Sequence, residues 1–445
     1  MMQRNVEGSG LAHARQVTTA PHGHVLTNTG VWSPDGRWIL YDVRAAADGS
    51  VFDGSRIERV EVETGRVEVL YESQDAACCG VVTSSPVDDR VVFILGPERP
   101  DAGWSYGPAR RRGVVVTASR PGEAASLDAR DLAAPFTPGA LRGGTHLHVF
   151  SPDARLVSFT YEDAVLDAAS PREVERNLRG VGVTVLDTPV AVPATHPRNH
   201  SGQATVLVTR LSDAPRPGSD EISRACEEAW VGTAGYRRGD GSWQRRALAF
   251  QGRVVTAAGT AVDEVFIVDL PADPRRLLAP GERPLAGTPT TRPAPPATVT
   301  QRRLTFTADR RYPGIQGPRH WLRSSPDGTR IAYLARDDEG VVQIFTVSPM
   351  GDLPTQLTTS PWPIASSFTW SPDGRWIACV AFGSICLVDT ANGTLHRLTP
   401  PVRDESAPRP EACVFSPDGT RIACVRRVPD GAGQIHNQIF VVEVP

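Results

Sequence analysis

One pattern of apolar and polar positions recurs along this chain. A short apolar strand runs into Ser-Pro-Asp-Gly, and an alternating apolar strand such as "RWIACVAF" follows the turn. A third strand comes next, as in "SICLVDT", and the unit ends on a short strand of the type "HRLT". Proline pre-sets φ in the turn, aspartate caps it, and glycine accepts a positive φ. The pattern therefore predicts repeated units of four antiparallel strands.

Six copies of this unit can be aligned on the turn. The motif serines are Ser33, Ser85, Ser151, Ser325, Ser371 and Ser416, at successive spacings of 52, 66, 174, 46 and 45 residues. The long gap leaves room for a seventh, degenerate unit, whose best remnants are "RALAFQGRVV" from Arg246 and "EVFIVDLP" from Glu264. Four strands in about 45 residues are typical of one propeller blade. The sequence predicts an all-β chain that forms a seven-bladed β-propeller of four-stranded antiparallel blades.

The spacing also predicts one domain with approximate blade boundaries. The visible blades are expected near 15–74, 75–140, 141–212, 300–358, 359–399 and 400–445, with the degenerate blade within 213–299. The early stretch "RQVTT", from Arg15, resembles the last strand of a unit but has no blade before it. We expect it to complete the last blade, because pairing the N-terminal and C-terminal strands closes the ring and removes an exposed edge.

Three stretches do not follow the blade pattern. Residues 162–183 and 218–232 have compositions that favour helices, and residues 283–303 resemble a Pro/Thr/Ala linker. Insertions in repeat proteins often build the binding face, so the insertions after Ser151 are expected near a site.

Composition narrows the class of protein. The net charge of −3 and a pI near 6.4 give no basic surface for nucleic acid. No run of about 18 apolar residues predicts a membrane span, and the N-terminus lacks the apolar core of a signal peptide. The seven cysteines are an odd number in a chain without a predicted signal peptide, which favours reduced thiols, and they form no CxxC pair. We expect a cytoplasmic protein with no membrane or nucleic-acid partner.

The repeated Ser-Pro-Asp-Gly units with trailing Leu-Thr resemble the TolB-like, WD40-like β-propellers, over nearly the whole chain. More closely, "APHGHVLTN", "PFTPGALRGGTHLHVFSPD", "PRPGSDEI" and "YPGIQGPRHWLRSSPDG" resemble a bacterial family of cytosolic propellers, the YidR-like proteins. This resemblance implies a fold and no particular activity.

Aligning the blades on the turn predicts a site at one axial mouth. The residues five positions before each motif serine are Asn28, Gly80, His146, His320, Ser366 and Glu411. Positions −5 and −3 point the same way in a regular strand, which places His148 in the same column as His146. His146, His148 and His320 are predicted metal ligands, because imidazoles with a carboxylate suit a divalent ion such as Mn, Zn, Fe or Ni. The alternative is that each histidine only bonds a neighbouring blade.

A second resemblance concerns the layout of this site. Oligogalacturonate lyases are TolB-like propellers with an axial Mn²⁺ held by histidines and a glutamine, and the H-x-H pair His146 and His148 is similar to part of that pattern. The glutamine is absent here, since its position is Gly143. The resemblance implies a metal-assisted β-elimination on a small anionic carbohydrate, with a lyase favoured over a hydrolase.

Candidate residues for this chemistry surround the predicted mouth. His24 and Glu411 are candidates for the base, or for a fourth metal ligand. Aromatic rings stack on sugars and arginine forks hold carboxylates. The predicted substrate-binding residues are Arg111, Arg112, Arg142, Arg319, Trp104 and His200.

The alternative function is a propeller without chemistry that binds a protein, a peptide or a small metabolite at the mouth. Phe368, Trp362 and Trp321 favour it, since a binding mouth would be more aromatic. The sequence leaves open the substrate, the metal, the base, the oligomeric state and the role of residues 164–235.

Overall fold

Each Ser-Pro-Asp-Gly turn is held by its own side chains. In blade 6, Ser371 Oγ donates to Asp373 Oδ1 at 2.5 Å and accepts from the Trp376 N–H at 2.9 Å. Asp373 also accepts from the Arg375 N–H. The same bonds recur at Ser33, Ser151, Ser325 and Ser416. The motif therefore fixes the direction in which the chain enters the second strand of a blade.

The computed structural model describes residues 11–46, 49–169, 174–318, 321–411 and 413–445. Within them, seven four-stranded antiparallel sheets make up the blades of a β-propeller, as the repeat predicted. Blade 1 consists of Gly23–Val25, Trp38–Arg44, Arg56–Glu61 and Val67–Glu72. Blade 2 consists of Cys79–Ser84, Arg90–Leu95, Arg112–Thr117 and Arg120–Ser126. Blade 3 consists of Gly143–Phe150, Leu156–Asp163, Gly180–Val190 and Gly202–Leu207.

The degenerate unit is blade 4. It consists of Ala225–Trp230, Arg246–Val255, Ala261–Leu270 and Thr300–Arg303. Its two central strands are the stretches that the sequence identified as remnants. Before the second strand, a small hairpin pairs Tyr236–Arg237 with Trp243–Gln244.

Blades 5 to 7 follow the repeat closely. Blade 5 consists of Arg323–Ser324, Ile331–Arg336, Val342–Val347 and Thr355–Gln356. Blade 6 consists of Thr369–Trp370, Trp376–Ala381, Ser384–Asp389 and Leu395–Arg397. Blade 7 takes Cys413–Phe415, Arg421–Pro429 and Ile435–Glu443 from the end of the chain and Arg15–Gln16 from its beginning.

The closure of the ring is confirmed. Arg15 lies opposite Val441 and Gln16 opposite Phe440. Arg15 Nη1 also donates to the carbonyl of Val62 at 2.8 Å, which joins blade 7 to blade 1. The first strand of the chain thus covers the edge that blade 7 would otherwise expose.

Neighbouring blades are joined by a core and by repeated hydrogen bonds. Apolar side chains of blades 1 and 7, among them Ile39 and Ile439, share one buried cluster. The residue before the motif serine in blades 1 and 6, and before the equivalent Val231 in blade 4, is a tryptophan whose indole N–H donates to a backbone carbonyl of the preceding blade. These bonds run from Trp32 to Val414, from Trp230 to Val149 and from Trp370 to Arg323, at 3.0, 3.0 and 3.1 Å.

The two helical predictions were wrong over most of their length. Among the described residues of 162–183, only Ala164–Ala168 is α-helical, capped by Asp163, and Gly180–Val190 is a strand that pairs with Leu156–Tyr161. In 218–232, Ala225–Trp230 is the innermost strand of blade 4. Pairing within a blade outweighs the helix propensity of alanine and glutamate.

Residues 283–303 are not a free linker. Arg142 donates to the carbonyls of Thr288 and Thr291, and Thr300–Arg303 is the last strand of blade 4. A single 3₁₀ turn, Pro274–Leu278, precedes this segment. No helix in the described parts of the chain has the length and apolar character needed to span a bilayer.

Candidate functional site

The inner strands of blades 2, 3 and 4 share a bulge. Val81, Leu147 and Glu227, each four residues before the turn position, have φ of 59°, 56° and 58°. In all three blades the register to the second strand shifts at this point. A bulge of this kind breaks the alternation of side chains along a strand. The positions −5 and −3 therefore do not point the same way in these blades.

A cavity of about 540 Å³ lies where the inner strands of several blades meet. Blades 1, 2, 3 and 7 and the loops before blades 5 and 7 contribute to its wall. The polar and charged lining residues are His24, Thr27, Asn28, Asp42, Arg44, Ser50, His146, Arg409, Glu411 and Asn437, and Phe52 and Trp321 add aromatic rings. Of the residues that the blade alignment placed five positions before the turn, Asn28, His146 and Glu411 line this cavity.

Of the three predicted metal ligands, His146 lines the cavity. It is half-buried, and its Nδ1 lies 3.5 Å from Thr160 Oγ1. Burial, and then the nearby guanidinium of Arg111, lower its pKa well below the ordinary value. The imidazole is consequently neutral at pH 7 and has a nitrogen lone pair to offer.

His24 lines another part of the wall. Its Nδ1 lies 3.0 Å from the carbonyl of Asn437, which can only accept, so Nδ1 carries the proton and Nε2 the lone pair. Burial and the neighbouring His22, whose ring is stacked at 4.6 Å, lower the pKa of His24 to about 3. Its Nε2 is sealed from solvent and makes no hydrogen bond to the described residues.

One wall alternates cations and aromatic rings. Arg44 pairs with Asp42 at 2.5 Å, and its guanidinium lies 4.4 Å from the ring of Phe52. Phe52 stacks on Tyr106 at 4.8 Å, and the Tyr106 hydroxyl lies 3.5 Å from Nη1 of Arg111. A β-carbon on Gly80 would lie 2.7 Å from Asp42 Oδ2, so the absence of a side chain there makes room for the pair.

Arg111 is close enough to His146 to affect its pKa, although it does not line the cavity, and no carboxylate of the described residues forms an ion pair with it. Only 7% of the residue is exposed, and its Nε makes no hydrogen bond within the described residues. Burial lowers its pKa, and the acid that acts on it, Glu162, is already ion-paired with Arg179. An uncompensated buried guanidinium is costly, and an anion bound near it would be stabilised.

His148 does not reach the cavity, because the bulge at Leu147 turns it the other way. It is fully buried, and its Nε2 lies 3.0 Å from Thr145 Oγ1. The ring occupies space left by Gly113, where a β-carbon would lie 2.6 Å from that nitrogen. Its role in the structure is packing between blades 2 and 3.

Four of the predicted substrate-binding residues have other partners. Arg142 is fully buried, ion-paired with Asp163 at 2.8 Å, and holds the segment around Thr288. Arg112 donates to Ser126 and Glu98. Trp104 lies within 6 Å of the guanidiniums of Arg110, Arg130 and Arg198, and His200 exchanges backbone bonds with Arg130. None of the four is part of the cavity wall.

The remaining predicted site residues either lie in the described part of the chain, where their positions can be given, or fall outside it. Glu411 lines the cavity, with Oε1 3.3 Å from Arg409 Nη2. Arg319 and His320 lie outside the described residues. Of the aromatics that favoured a protein-binding mouth, Trp321 lines the cavity and Phe368 is buried in the core between blades 5 and 6. Trp362 stacks on Phe382.

The described residues do not assemble the predicted metal-ligand set. Within 11–46, 49–169, 174–318, 321–411 and 413–445, no three His, Cys, Asp or Glu side chains are grouped around one point. Of the three predicted ligands, His146 is at the cavity, His148 is behind the bulge and His320 is not described. We therefore derive no chemical step through a metal ion.

Several lining residues were missed from the sequence. Asp42 and Arg44 interrupt the apolar strand "WILYDVR", and charged residues in a buried strand are the signal that could have marked them. Asn437 and Arg409 carry no such signal, because only the ring closure brings blade 7 beside blade 1.

The fold and the cavity define a seven-bladed β-propeller with a polar, partly cationic site on its axis. The chain is 46% identical to the protein YidR of Escherichia coli (strain K12) over 411 residues, which span 92% of this chain and 94% of YidR. It belongs to the YidR family. Residues 78–200 also match a family model described as "Protein of unknown function (DUF3748)".

Solved structures show the same architecture. An oligogalacturonate lyase in complex with manganese superposes with a TM-score of 0.53 and 14% identity, over 98% of this chain and 93% of the lyase. An oligogalacturonate lyase from Vibrio parahaemolyticus gives 0.54 and 12%, over 98% of this chain and 94% of that chain. At sequence identities this low, the structural similarity shows only that the folds are alike.

Proposed function

We propose that the axial cavity binds a small sugar acid and catalyses a β-elimination on it. The observation that carries this proposal is the position of Arg111, a buried guanidinium beside His146 that no described carboxylate contacts. A carboxylate on the ligand would supply the missing charge. The aromatic ring of Trp321 on the wall suits the face of a sugar ring.

The charge balance of the wall supports an anionic ligand. Arg44 is paired with Asp42, and Arg409 with Glu411, so the lining charges cancel in pairs. Arg111, which does not line the cavity itself, is a buried cation near His146 that no described carboxylate pairs. The preference should therefore be for one carboxylate close to His146 rather than for a polyanion along the whole wall.

His146 is the best placed proton acceptor. Its Nε2 makes no hydrogen bond to the described residues, and unlike Nε2 of His24 it is not sealed from the cavity. In the proposed step the proton next to the carboxylate moves to His146. The C–O bond at the next carbon breaks, a C=C bond forms, and the leaving oxygen takes a proton from water.

Arg111 has two roles in this step. It stabilises the negative charge that grows on the carboxylate when the proton leaves. Its positive charge also contributes to the low pKa of His146, and a bound carboxylate offsets that effect. Binding of the substrate would thus make the imidazole a stronger base at the moment it is needed.

The test is an assay for unsaturated product with short oligogalacturonates, followed by ultraviolet absorbance, with and without added Mn²⁺ and with a chelator. Arg111→Gln should lower kcat/KM by at least about 100-fold, which corresponds to loss of a charge-assisted contact of about 3 kcal/mol. Arg112→Gln is the matched control, because Arg112 bonds Ser126 and Glu98 instead, and it should retain activity.

The outcomes separate the candidate functions. Binding of the oligosaccharide by calorimetry without any product would overturn the elimination and leave a non-catalytic binding propeller. Equal losses in both arginine variants would overturn the role of Arg111. Neither binding nor product with any uronate would overturn the proposal as a whole.

A further inference from the structure

Asn28 lines the axial cavity on blade 1, at the position equivalent to His146 on blade 3. It is 5% exposed, and it is bound from behind by Arg323, which belongs to the inner strand of blade 5. Arg323 Nη2 donates to Oδ1 of Asn28, and it also lies 3.2 Å from the backbone carbonyl of Asn28. A guanidinium from the opposite side of the ring thus holds this amide.

This contact fixes which way the amide points. Arginine has donors and no acceptor, so the atom of Asn28 that faces it must be the oxygen. The –NH₂ group therefore points away from Arg323. Nδ2 makes no hydrogen bond to the described residues, and it is not among the polar atoms sealed from solvent. It offers two N–H donors to the cavity.

Arg323 is itself well held. Its Nη1 donates to the carbonyl of Leu322 at 2.7 Å, and the residue is 8% exposed. Burial lowers its pKa to about 10, and the carboxyls of Glu227 and Glu228 on blade 4 oppose that shift. The guanidinium is charged at neutral pH, so it remains a pure donor there.

We infer that Asn28 is a specificity-determining residue that donates a hydrogen bond to an acceptor oxygen of the ligand, and that Arg323 is a positioning residue that orients its amide. The acceptor is a carboxylate or hydroxyl oxygen. This inference rests on the proposed function, since it concerns the same cavity and the same class of ligand. It adds a second contact to the ligand, from a residue of blade 1 that lines the same cavity as His146.

Asn28→Asp tests the inference sharply. The aspartate keeps an oxygen towards Arg323, so the contact between blades 1 and 5 survives, but the cavity-facing donor becomes an acceptor. Binding of trigalacturonate, measured by calorimetry, should weaken at least about tenfold. The thermal midpoint should stay at the wild-type value or rise. If Asn28 had a purely structural role, weaker binding would instead be accompanied by a lower thermal midpoint.

Arg323 is tested by two variants. Arg323→Met frees the amide to rotate and should also weaken binding of trigalacturonate about tenfold. Arg323→Lys keeps a group that only donates and should restore most of the affinity. The double variant of Asn28→Asp with Arg323→Met should bind no worse than Asn28→Asp alone, because the orientation no longer matters once the donor is gone.

Wild-type affinity in Asn28→Asp would overturn the inference while leaving the proposed function intact. Equal loss in the methionine and lysine variants would overturn the positioning role of Arg323. Failure of the wild-type protein to bind trigalacturonate would overturn the proposed function and this inference with it.

Discussion

Arg111 and Arg112 are adjacent in the chain and have opposite surroundings. The side chain of Arg112 points to Ser126 and Glu98 at the outside of blade 2, whereas that of Arg111 is buried towards His146. Strand alternation separates the two. A shift of the chain by one residue would therefore exchange the surroundings of the two arginines and place the other one near His146.

The coupling between Arg111 and His146 can be measured without a substrate. Burial lowers the pKa of His146 first, and Arg111 lowers it further. Removing the cation in Arg111→Gln should raise the pKa of His146, although it should remain below 6.5 because burial persists. A proton NMR titration of the histidine resonances measures it, with Arg112→Gln as the control, and no change in Arg111→Gln would contradict the proposed proximity.

The buried histidines predict how stability depends on pH. Burial lowers the pKa of His24 and of His148 to about 3, against an ordinary 6.5. The unfolded chain therefore binds more protons between these values, and the free energy of unfolding falls as pH drops below about 6.5. Each such histidine should cost about 2 kcal/mol at pH 5.

His148→Gln isolates one of these contributions. Glutamine can still donate to Thr145 Oγ1 but does not titrate, so the loss of stability between pH 7 and pH 5 should be smaller than in the wild type. Urea unfolding at the two pH values measures the difference. Identical losses in the two proteins would show that His148 is not buried in its neutral form.

At the scale of elements, the joints between blades depend on hydrogen bonds that the core surrounds. The indoles of Trp32 and Trp370 each donate to a carbonyl of the preceding blade, and both residues are buried. Phenylalanine would keep an aromatic ring there but leave the carbonyl without this donor. The tryptophan before the motif serine thus serves the joint as well as the core.

Trp370→Phe and Trp32→Phe should each lower the free energy of unfolding by about 1 to 3 kcal/mol. Chemical denaturation measures the loss, and the slope of the free energy of unfolding against denaturant concentration should stay the same. Because the two bonds are equivalent in different blades, their losses should be similar. A neutral effect at both positions would show that the bond is replaced by water.

The bulge is the element that the repeat alone did not reveal. The turn motif predicted the inner strands of blades 2 and 3 correctly, but strict alternation placed His148 beside His146. Positive φ at Leu147 reverses the direction of the following side chains. Leucine and valine carry no local signal for such a backbone, so the bulge follows from packing against neighbouring blades.

At the scale of the whole molecule, the ring depends on a strand of only two residues. Arg15 and Gln16 cover the free edge of blade 7, and Arg15 also reaches Val62 of blade 1. The cavity residues His24 and Asn437 come from the same two blades, and a hydrogen bond links them across the joint. Loosening this joint should therefore loosen the site.

Deletion of residues 1–16 should lower the thermal midpoint by several degrees and increase aggregation, because it exposes an unpaired strand edge. Deletion of residues 1–10 is the matched control, because it retains the strand, and the longer deletion should lower the thermal midpoint further. Differential scanning calorimetry and light scattering measure the two effects. A midpoint equal to the wild type in the longer deletion would show that the pairing does not contribute to the ring.

The sequence by itself determined the architecture. Ser-Pro-Asp-Gly acts through bonds within a few residues, as at Ser371 and Asp373, so each copy specifies its turn wherever it occurs. Six such turns and two recognisable central strands predicted seven blades and a closed ring. The same alignment placed His146 and Glu411 in one column, and both line the cavity.

Only the tertiary structure decided the composition of the site. Asn28 of blade 1 and Asn437 of blade 7 line one cavity, and Arg323 of blade 5 bonds Asn28, although the three residues are far apart in the chain. Residues 225–230 form a strand of blade 4 despite the helix propensity of 218–232. A bulge turns the side chain of His148 away from the direction that strict alternation predicts. Interactions between residues close in sequence specify the turns and strands. Which side chains point towards the propeller axis depends on how the seven sheets pack together.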